Sequence, residues 1–278
     1  MAESKTTDTT AACCANFYEQ DIIQELLGGS YHPGGENLSG TLARSLGLKA
    51  GQTVLDVACG VGTTSRLMSK QLGLCATGLD FSKINVGKAE QLSAEQAESS
   101  TPDAAESTPL FSPGELKFVE GSADDLPFDD GQFDGLVCEC AVSTFADQSK
   151  AANEFFRVLK PGGVFGMTDM VLNGELPEKY AEQVAPWTCM AKALDSDGYS
   201  QLFTEAGFQL IDNQDFSHTL IEMATDIKRK LVMAGVGKAL GAIGSLGMSL
   251  SEMRAMLSQS TELVNAETIQ YRLLLFRK

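Results

Sequence analysis

A glycine-rich turn after an apolar strand is the part of this sequence best suited to bind a ligand. We predict a strand, a tight turn and a helix from the segment TVLDVACGVGTT, in which Gly60 and Gly62 permit the turn and allow close approach of a ligand to backbone N–H groups. Asp56 precedes the turn, and Asp80 ends the next predicted strand 24 residues later, where a carboxylate can accept both ribose hydroxyls. The pattern indicates a nucleotide-type cofactor. A dinucleotide site usually has a third glycine where this chain has Ser65, and a purely structural turn is a further alternative.

Cysteines and histidines are the other residues that could carry chemistry. Cys138 and Cys140 share one face of a predicted strand under the period-two rule, and Cys140 ends that strand, where open α/β sheets bind ligands. Thiolates bind soft, thiophilic centres, while burial as a small apolar residue is the alternative for each cysteine. His32 or His218 could act as a general base or be a hydrogen-bonded structural histidine. No HxxxH or CxxC cluster predicts a metal ion.

Alternating strand and helix patterns position these residues. Strand patterns occur at 53–57, 74–79, 116–120, 135–140, 163–170, 208–211 and 269–276, and helical patterns at 17–29, 38–46, 63–72, 82–97, 150–159 and 196–206. This alternation is typical of a parallel sheet covered on both faces. We therefore predict a Rossmann-like α/β fold with a seven-stranded, mostly parallel sheet and helices on both faces.

The predicted organisation is a tail and helical cover over residues 1–35, followed by one α/β domain over 36–278. Two segments interrupt the alternation. Residues 93–114 are rich in Ser, Ala, Glu and Pro, and predict an acidic, solvated loop insertion. Residues 218–265 predict a helical insertion before the last strand.

Charge and composition exclude several partners. The 278 residues carry 37 acidic and 21 basic side chains, a net charge of −16, which excludes nucleic acid and disfavours an anionic membrane surface. Much of this charge is local, because residues 90–130 hold eleven carboxylates and only Lys117. The apolar stretch 231–250 contains Lys238 and is predicted as a buried helix. The expected partner is a small-molecule substrate, and nothing in the sequence predicts an oligomeric state.

The N-terminus and the cysteine count predict a reducing compartment. The first residues, MAESKTTDTT, contain neither a basic region nor an apolar region of the kind that signal peptides have. Seven cysteines are an odd number, so free thiols or ligands are favoured over disulfides. A cytoplasmic location is therefore expected.

Four motifs in register resemble the class I S-adenosylmethionine-dependent methyltransferases, in the branch with the UbiE-like "methyltransferase 11" core. They are VLDVACGVGTTS (54–65), GLDFS (78–82), FVEGSADDLPFDDGQFD (118–134) and RVLKPGGVFGMTD (157–169). Their order and spacing hold over residues 36–210, and a dehydrogenase would show neither LPFDDGQFD nor the LKPGG turn. The resemblance implies a methyltransferase that uses S-adenosylmethionine.

It also implies contacts with that cofactor. Asp56, Gly60 and Gly62 would lie against its methionine part, while Asp80 would hold the ribose. Phe81 would lie beside the adenine, with Ser122 and Ala123 at the adenine edge, where Asp124 would replace the acid that many relatives have. Cys140 would lie beside the sulfonium. Tyr18 and the turn 32–35 would cover the methionine end.

The chain also resembles the arsenite methyltransferases in its cysteines. In that family a cysteine ends the fourth strand, and another follows about 50 residues later near a tryptophan. The matching positions are Cys140 and Cys189, with Trp187 two residues before the second. Cys13 or Cys14 could supply a third thiolate, and arsenic chemistry needs no general base on the acceptor, which fits the presence of only two histidines. We therefore predict trivalent arsenic as the preferred acceptor.

Two alternatives to arsenic remain open. One is a small-molecule C- or O-methyltransferase of the quinone or natural-product type. The other is a non-catalytic cofactor-binding sensor, which would need the same glycine turn.

Overall fold

The computed structural model describes residues 32–99, 114–183, 190, 192–233 and 249–278. Helices and strands alternate through most of these ranges. In chain order the elements are α1 (Gly35–Ser45), β1 (Thr53–Val57), α2 (Thr63–Leu72), β2 (Cys75–Asp80), α3 (Lys83–Ser99), β3 (Leu116–Glu120), β4 (Phe133–Glu139), a 3₁₀ turn (Val142–Thr144), α4 (Gln148–Val158), β5 (Leu159–Leu172), α5 (Glu178–Gln183), α6 (Ser196–Glu205), β6 (Gln209–Asp215), α7 (His218–Met233), α8 (Leu250–Asn265) and β7 (Ile269–Arg277).

The strands form a seven-stranded sheet in the order β3-β2-β1-β4-β5-β7-β6. The first five strands of that order run parallel to their neighbours, whereas β7 is antiparallel to both β5 and β6. The Rossmann-like prediction is confirmed. The strand order reverses between β1 and β4, so the carboxyl ends of these two strands flank the crevice where open α/β sheets bind ligands.

Each face of the sheet packs against its own hydrophobic core. Leu136 of β4 belongs to one core and Val137 to the other, because successive side chains on a strand point to opposite faces. We call the core that contains Leu136 the first core and the core that contains Val137 the second core. A strand buried on both faces has a nearly continuous apolar sequence, as β4 does, and this makes the center of the sheet a rigid support for the residues at its edge.

Several predicted boundaries are wrong, and two of the differences have a clear local cause. Helix α3 ends at Ser99, two residues beyond the predicted helix and seven residues into the predicted loop insertion, since Ala, Glu and Gln favour helix and Gln91 hydrogen-bonds to Glu95 one turn later at 2.8 Å. Strand β5 begins four residues before the predicted start because Leu159 pairs with Phe133 of β4.

The predicted helical insertion and the predicted N-terminal cover lie partly outside the described residues. Within 218–265 the structure has the helices α7 and α8, and residues 234–248 between them lie outside the described residues. The predicted helix at 17–29 and most of the predicted cover also lie outside them. In the ranges described above, no helix has the length and apolar character needed to cross a membrane. The division at residues 35 and 36 stays a prediction.

Candidate active site

The glycine turn between β1 and α2 adopts the conformation that its sequence predicts. Gly62 caps the amino end of α2 with φ at 77°, in the left-handed region that favours glycine. A Cβ atom on Gly62 would lie 2.5 Å from the Phe118 ring and 3.1 Å from the Ala89 side chain. The position therefore requires glycine both for its backbone angle and for the space beside Phe118.

Asp80 holds this turn against the end of β2. One carboxylate oxygen accepts the Gly60 N–H at 2.8 Å, and the other accepts the Ser82 N–H at 2.9 Å and the Asn85 side-chain amide at 3.2 Å. The side chain is 8% exposed. Its predicted contact with ribose stays a prediction, but the structure gives Asp80 a second task, which is to fix the turn.

Asp56 is buried beneath the turn and hydrogen-bonds to the residue that replaces the third glycine. Ser65 donates its hydroxyl to the Asp56 carboxyl at 2.6 Å. The pKa of Asp56 is raised to about 8, mainly by burial and in part by the negative charges of Glu139 and Asp80, against the lowering effect of the Ser65 hydroxyl. Ser65 stands where the dinucleotide pattern has its third glycine, and its hydroxyl group provides the hydrogen bond that the buried Asp56 carboxyl needs.

The predicted adenine side lies at the carboxyl ends of β2 and β3. The Phe81 side chain is 60% exposed, unusually open for a large apolar residue and suited to stacking on a flat ring. Ser122 donates its hydroxyl to Asp124, and Ala123 packs into the first core. The open Phe81 ring can stack on the adenine, and the glycine turn allows close approach of a ligand to the backbone, so these residues fit S-adenosylmethionine.

Four polar side chains meet at the end of β4, and we call them the Glu139 cluster: His32, Ser39, Thr64 and Glu139. Ser39 donates to one oxygen of the Glu139 carboxylate at 3.0 Å, and Thr64 donates to the other at 2.6 Å. The His32 Nε2 atom lies 3.1 Å from the Ser39 hydroxyl and 3.5 Å from the carboxylate. His32 is thus hydrogen-bonded in this structure, and its role as a base stays a prediction.

Cys140 lies at the carboxyl end of β4, as predicted, but it does not share a face with Cys138. Cys138 is fully buried in the first core, whereas Cys140 packs against the second core. The reason is the backbone of Cys140, whose φ of 52° leaves the extended conformation on which the period-two rule depends. The predicted shared face is therefore wrong.

The other predicted acceptor residues, Cys13, Cys14 and Cys189, lie outside the described residues, and so does Tyr18, which was predicted to cover the methionine end of the cofactor. His218, the other candidate base, begins α7, and its ring lies 6.0 Å from that of Phe216.

A buried carboxyl next to the end of β4 was not predicted from the sequence. Asp169 of β5 is fully buried, and it accepts the Ser143 hydroxyl at 2.7 Å and the Ser143 N–H at 3.1 Å. Burial raises the pKa of Asp169 to about 7, opposed by the hydrogen bonds from Ser143. The Tyr199 hydroxyl is buried nearby, and burial together with the charge of Asp169 raises its pKa well above the usual value. A strongly shifted pKa makes a group a candidate for catalysis, although structural hydrogen-bond networks shift pKa values as well.

Comparison with known families agrees with this geometry. Residues 55–167 match a protein family described as "Methyltransferase domain". The chain therefore contains a methyltransferase domain, and its seven-stranded fold is the one found in S-adenosylmethionine-dependent methyltransferases.

Known relatives include enzymes that act on different acceptors. The chain is 31% identical over 184 residues to a sterol 24-C-methyltransferase of Gibberella zeae and spans 45% of its length. It is 26% identical over 262 residues to the O-methyltransferase cnsE of Penicillium expansum, a match that covers 87% of this chain and 85% of that one. Among solved structures, the cyclopropane synthase MmaA2 from Mycobacterium tuberculosis shares the fold with a TM-score of 0.77 at 15% identity, over 99% of this chain and 100% of that one.

Proposed function

We propose that this protein transfers a methyl group to a hydroxyl oxygen of a small organic molecule. The observation that carries the proposal is the buried Asp169–Ser143 pair, whose carboxyl has a pKa of about 7 next to the carboxyl end of β4. Oxygen acceptors benefit from a general base, and a base works best when its pKa lies near the operating pH. The O-methyltransferase relative that matches over most of both chains supports the same acceptor class.

The chemistry assigned to the chain is positioning and proton removal. When bound, S-adenosylmethionine supplies a methyl group from its sulfonium sulfur. The sulfur keeps the electron pair of the broken bond and becomes the neutral thioether of S-adenosylhomocysteine. Ser143 accepts the proton of the acceptor hydroxyl while it passes its own proton to Asp169 along the existing 2.7 Å hydrogen bond. The acceptor oxygen thereby keeps the electron pair that forms the new oxygen–carbon bond.

Asp169→Asn should lower kcat for a hydroxyl acceptor by roughly a hundred-fold or more, the usual contribution of a general base. In the natural protein kcat should rise with pH through about 7, because Asp169 accepts a proton only when ionised. In the variant that rise should be absent, since asparagine does not titrate. Initial rates measured from pH 5.5 to 9 check both outcomes.

Ser143→Ala is the matched second variant, because it leaves the carboxyl in place and removes the relay. It should also lose kcat with little change in KM for the cofactor. If both variants keep the natural rate and the natural pH profile, Asp169 and Ser143 are structural, and the acceptor does not need them.

Arsenic as the acceptor stays a prediction. Cys140 lies at the expected sheet edge, and the second thiolate of the predicted pair is outside the described residues. The reducing, cytoplasmic location stays a prediction. Carbon methylation is the other alternative, and the sterol 24-C-methyltransferase relative favours it.

A further inference from the structure

Glu139 is a buried carboxylate at the edge of the cofactor cleft that the sequence motifs do not include. Its side chain is only 6% exposed, and Ser39 and Thr64 each direct a hydroxyl at one of its oxygens. Within the described residues its ion-pair partner is His32, at 3.5 Å. A buried carboxyl group whose partners are two hydroxyl groups and a histidine suits a cation that a ligand brings.

The position of Glu139 points to one end of the cofactor. Strand β4 pairs with β1, and the residue before Glu139 lies opposite Val57, the last residue of β1. Thr64, the hydroxyl that binds Glu139, is the second residue of α2, directly after the glycine turn. Glu139 therefore borders the glycine turn on the side of the turn facing β4, while Asp80 borders it on the side facing β2.

The other two acids of the cleft are less suited to hold a cation. The Asp80 carboxylate already accepts hydrogen bonds from Gly60, Ser82 and Asn85. The Asp56 carboxyl, with a pKa raised to about 8 by burial, is mostly neutral at pH 7. Each oxygen of the Glu139 carboxylate accepts a hydrogen bond from one hydroxyl group, and further lone pairs remain for a cationic donor.

We propose that Glu139 binds the α-ammonium group in the methionine part of the cofactor, and that Ser39, Thr64 and His32 hold its carboxylate in place. The inference rests on the cofactor and is independent of the acceptor. It makes Glu139 a specificity residue, which selects ligands that carry the amino group. The hydroxyl groups are positioning residues, because they act through Glu139.

A calorimetric titration with two ligands tests this assignment. S-adenosylhomocysteine carries the α-ammonium group, and its deamino analogue differs from it only in lacking that group. The natural protein should bind S-adenosylhomocysteine about ten-fold or more tightly than the analogue, as expected for a hydrogen bond between charged groups. Glu139→Gln should lose about that factor for S-adenosylhomocysteine and almost nothing for the analogue.

Glu36→Gln is the matched control, because it removes the same charge from an exposed position in the first turn of α1. It should leave the ratio of the two affinities unchanged. An equal loss for both ligands in Glu139→Gln would show that Glu139 only supports the fold. Equal affinity of the natural protein for the two ligands would overturn the proposal without any variant. Failure of the natural protein to bind S-adenosylhomocysteine would instead contradict the cofactor assignment.

Discussion

Asp56→Asn should make the protein more stable, and the gain should grow as the pH rises from 5 to 7. The Asp56 carboxyl ionises near pH 3.8 in the unfolded chain but only near pH 8 when folded. Between these values the folded state holds a proton that the unfolded state has lost, so the free energy of unfolding falls as the pH rises. Each pH unit is equivalent to about 1.4 kcal/mol, so the gap should widen by up to about 2.7 kcal/mol over these two units.

Urea denaturation of both proteins at pH 5, 6 and 7 measures this gap. Asparagine can still accept the Ser65 hydroxyl through its amide oxygen, so the variant removes the titration and keeps the hydrogen bond. Ser65→Ala, which removes that hydrogen bond and leaves the carboxyl, should destabilise the protein instead. A gap that stays constant with pH would mean that Asp56 ionises normally in the folded state.

Gly62→Ala should cost both stability and cofactor binding. The left-handed backbone at φ 77° costs a residue with a Cβ atom about 1–2 kcal/mol. Overpacking against the Phe118 ring costs about 1–3 kcal/mol more. The sum is a large fraction of the roughly 5–15 kcal/mol that stabilises a typical domain. Because relief of the clash must shift the turn, we also expect affinity for S-adenosylhomocysteine to fall about ten-fold or more.

Gly87→Ala is the matched control, since Gly87 lies inside helix α3 and an added Cβ atom there meets nothing within 4 Å. It should leave binding unchanged and add up to about 1 kcal/mol of stability, because alanine favours helix. Denaturation and calorimetry on both variants separate the two glycines. Equal tolerance of both substitutions would contradict a turn that requires glycine at position 62.

The sequence predicts well those features that are local in the chain. Strands β1 and β3 and helix α2 have the predicted bounds, because apolar patterns and glycine turns act over a few residues. The glycine turn and the two acids that flank it are found at adjacent strand ends, as their spacing predicts. The resemblance of four motifs adds the cofactor, which patterns alone leave open between two classes of nucleotide ligand.

The sequence does not predict groups assembled from distant segments. Ser39 and Glu139 are 100 residues apart and meet only because α1 packs beside the end of β4. Ser143 follows β4 and Asp169 lies on β5, so the pair forms between neighbouring segments, and the motif that ends at Asp169 does not indicate its partner. The predicted orientation of Cys140 is wrong for another reason, because its left-handed backbone angle interrupts the strand periodicity.

The transfer of a labelled methyl group tests the central claim most directly. The full-length protein is incubated with methyl-labelled S-adenosylmethionine and, in separate reactions, hydroxylated aromatic compounds, quinones, sterols, and arsenite with a thiol. The account predicts label on the oxygen of a hydroxylated product, with one S-adenosylhomocysteine formed for each methyl group transferred. Label transfer that occurs only with arsenite, or tight cofactor binding with no transfer to any hydroxyl acceptor, would contradict it.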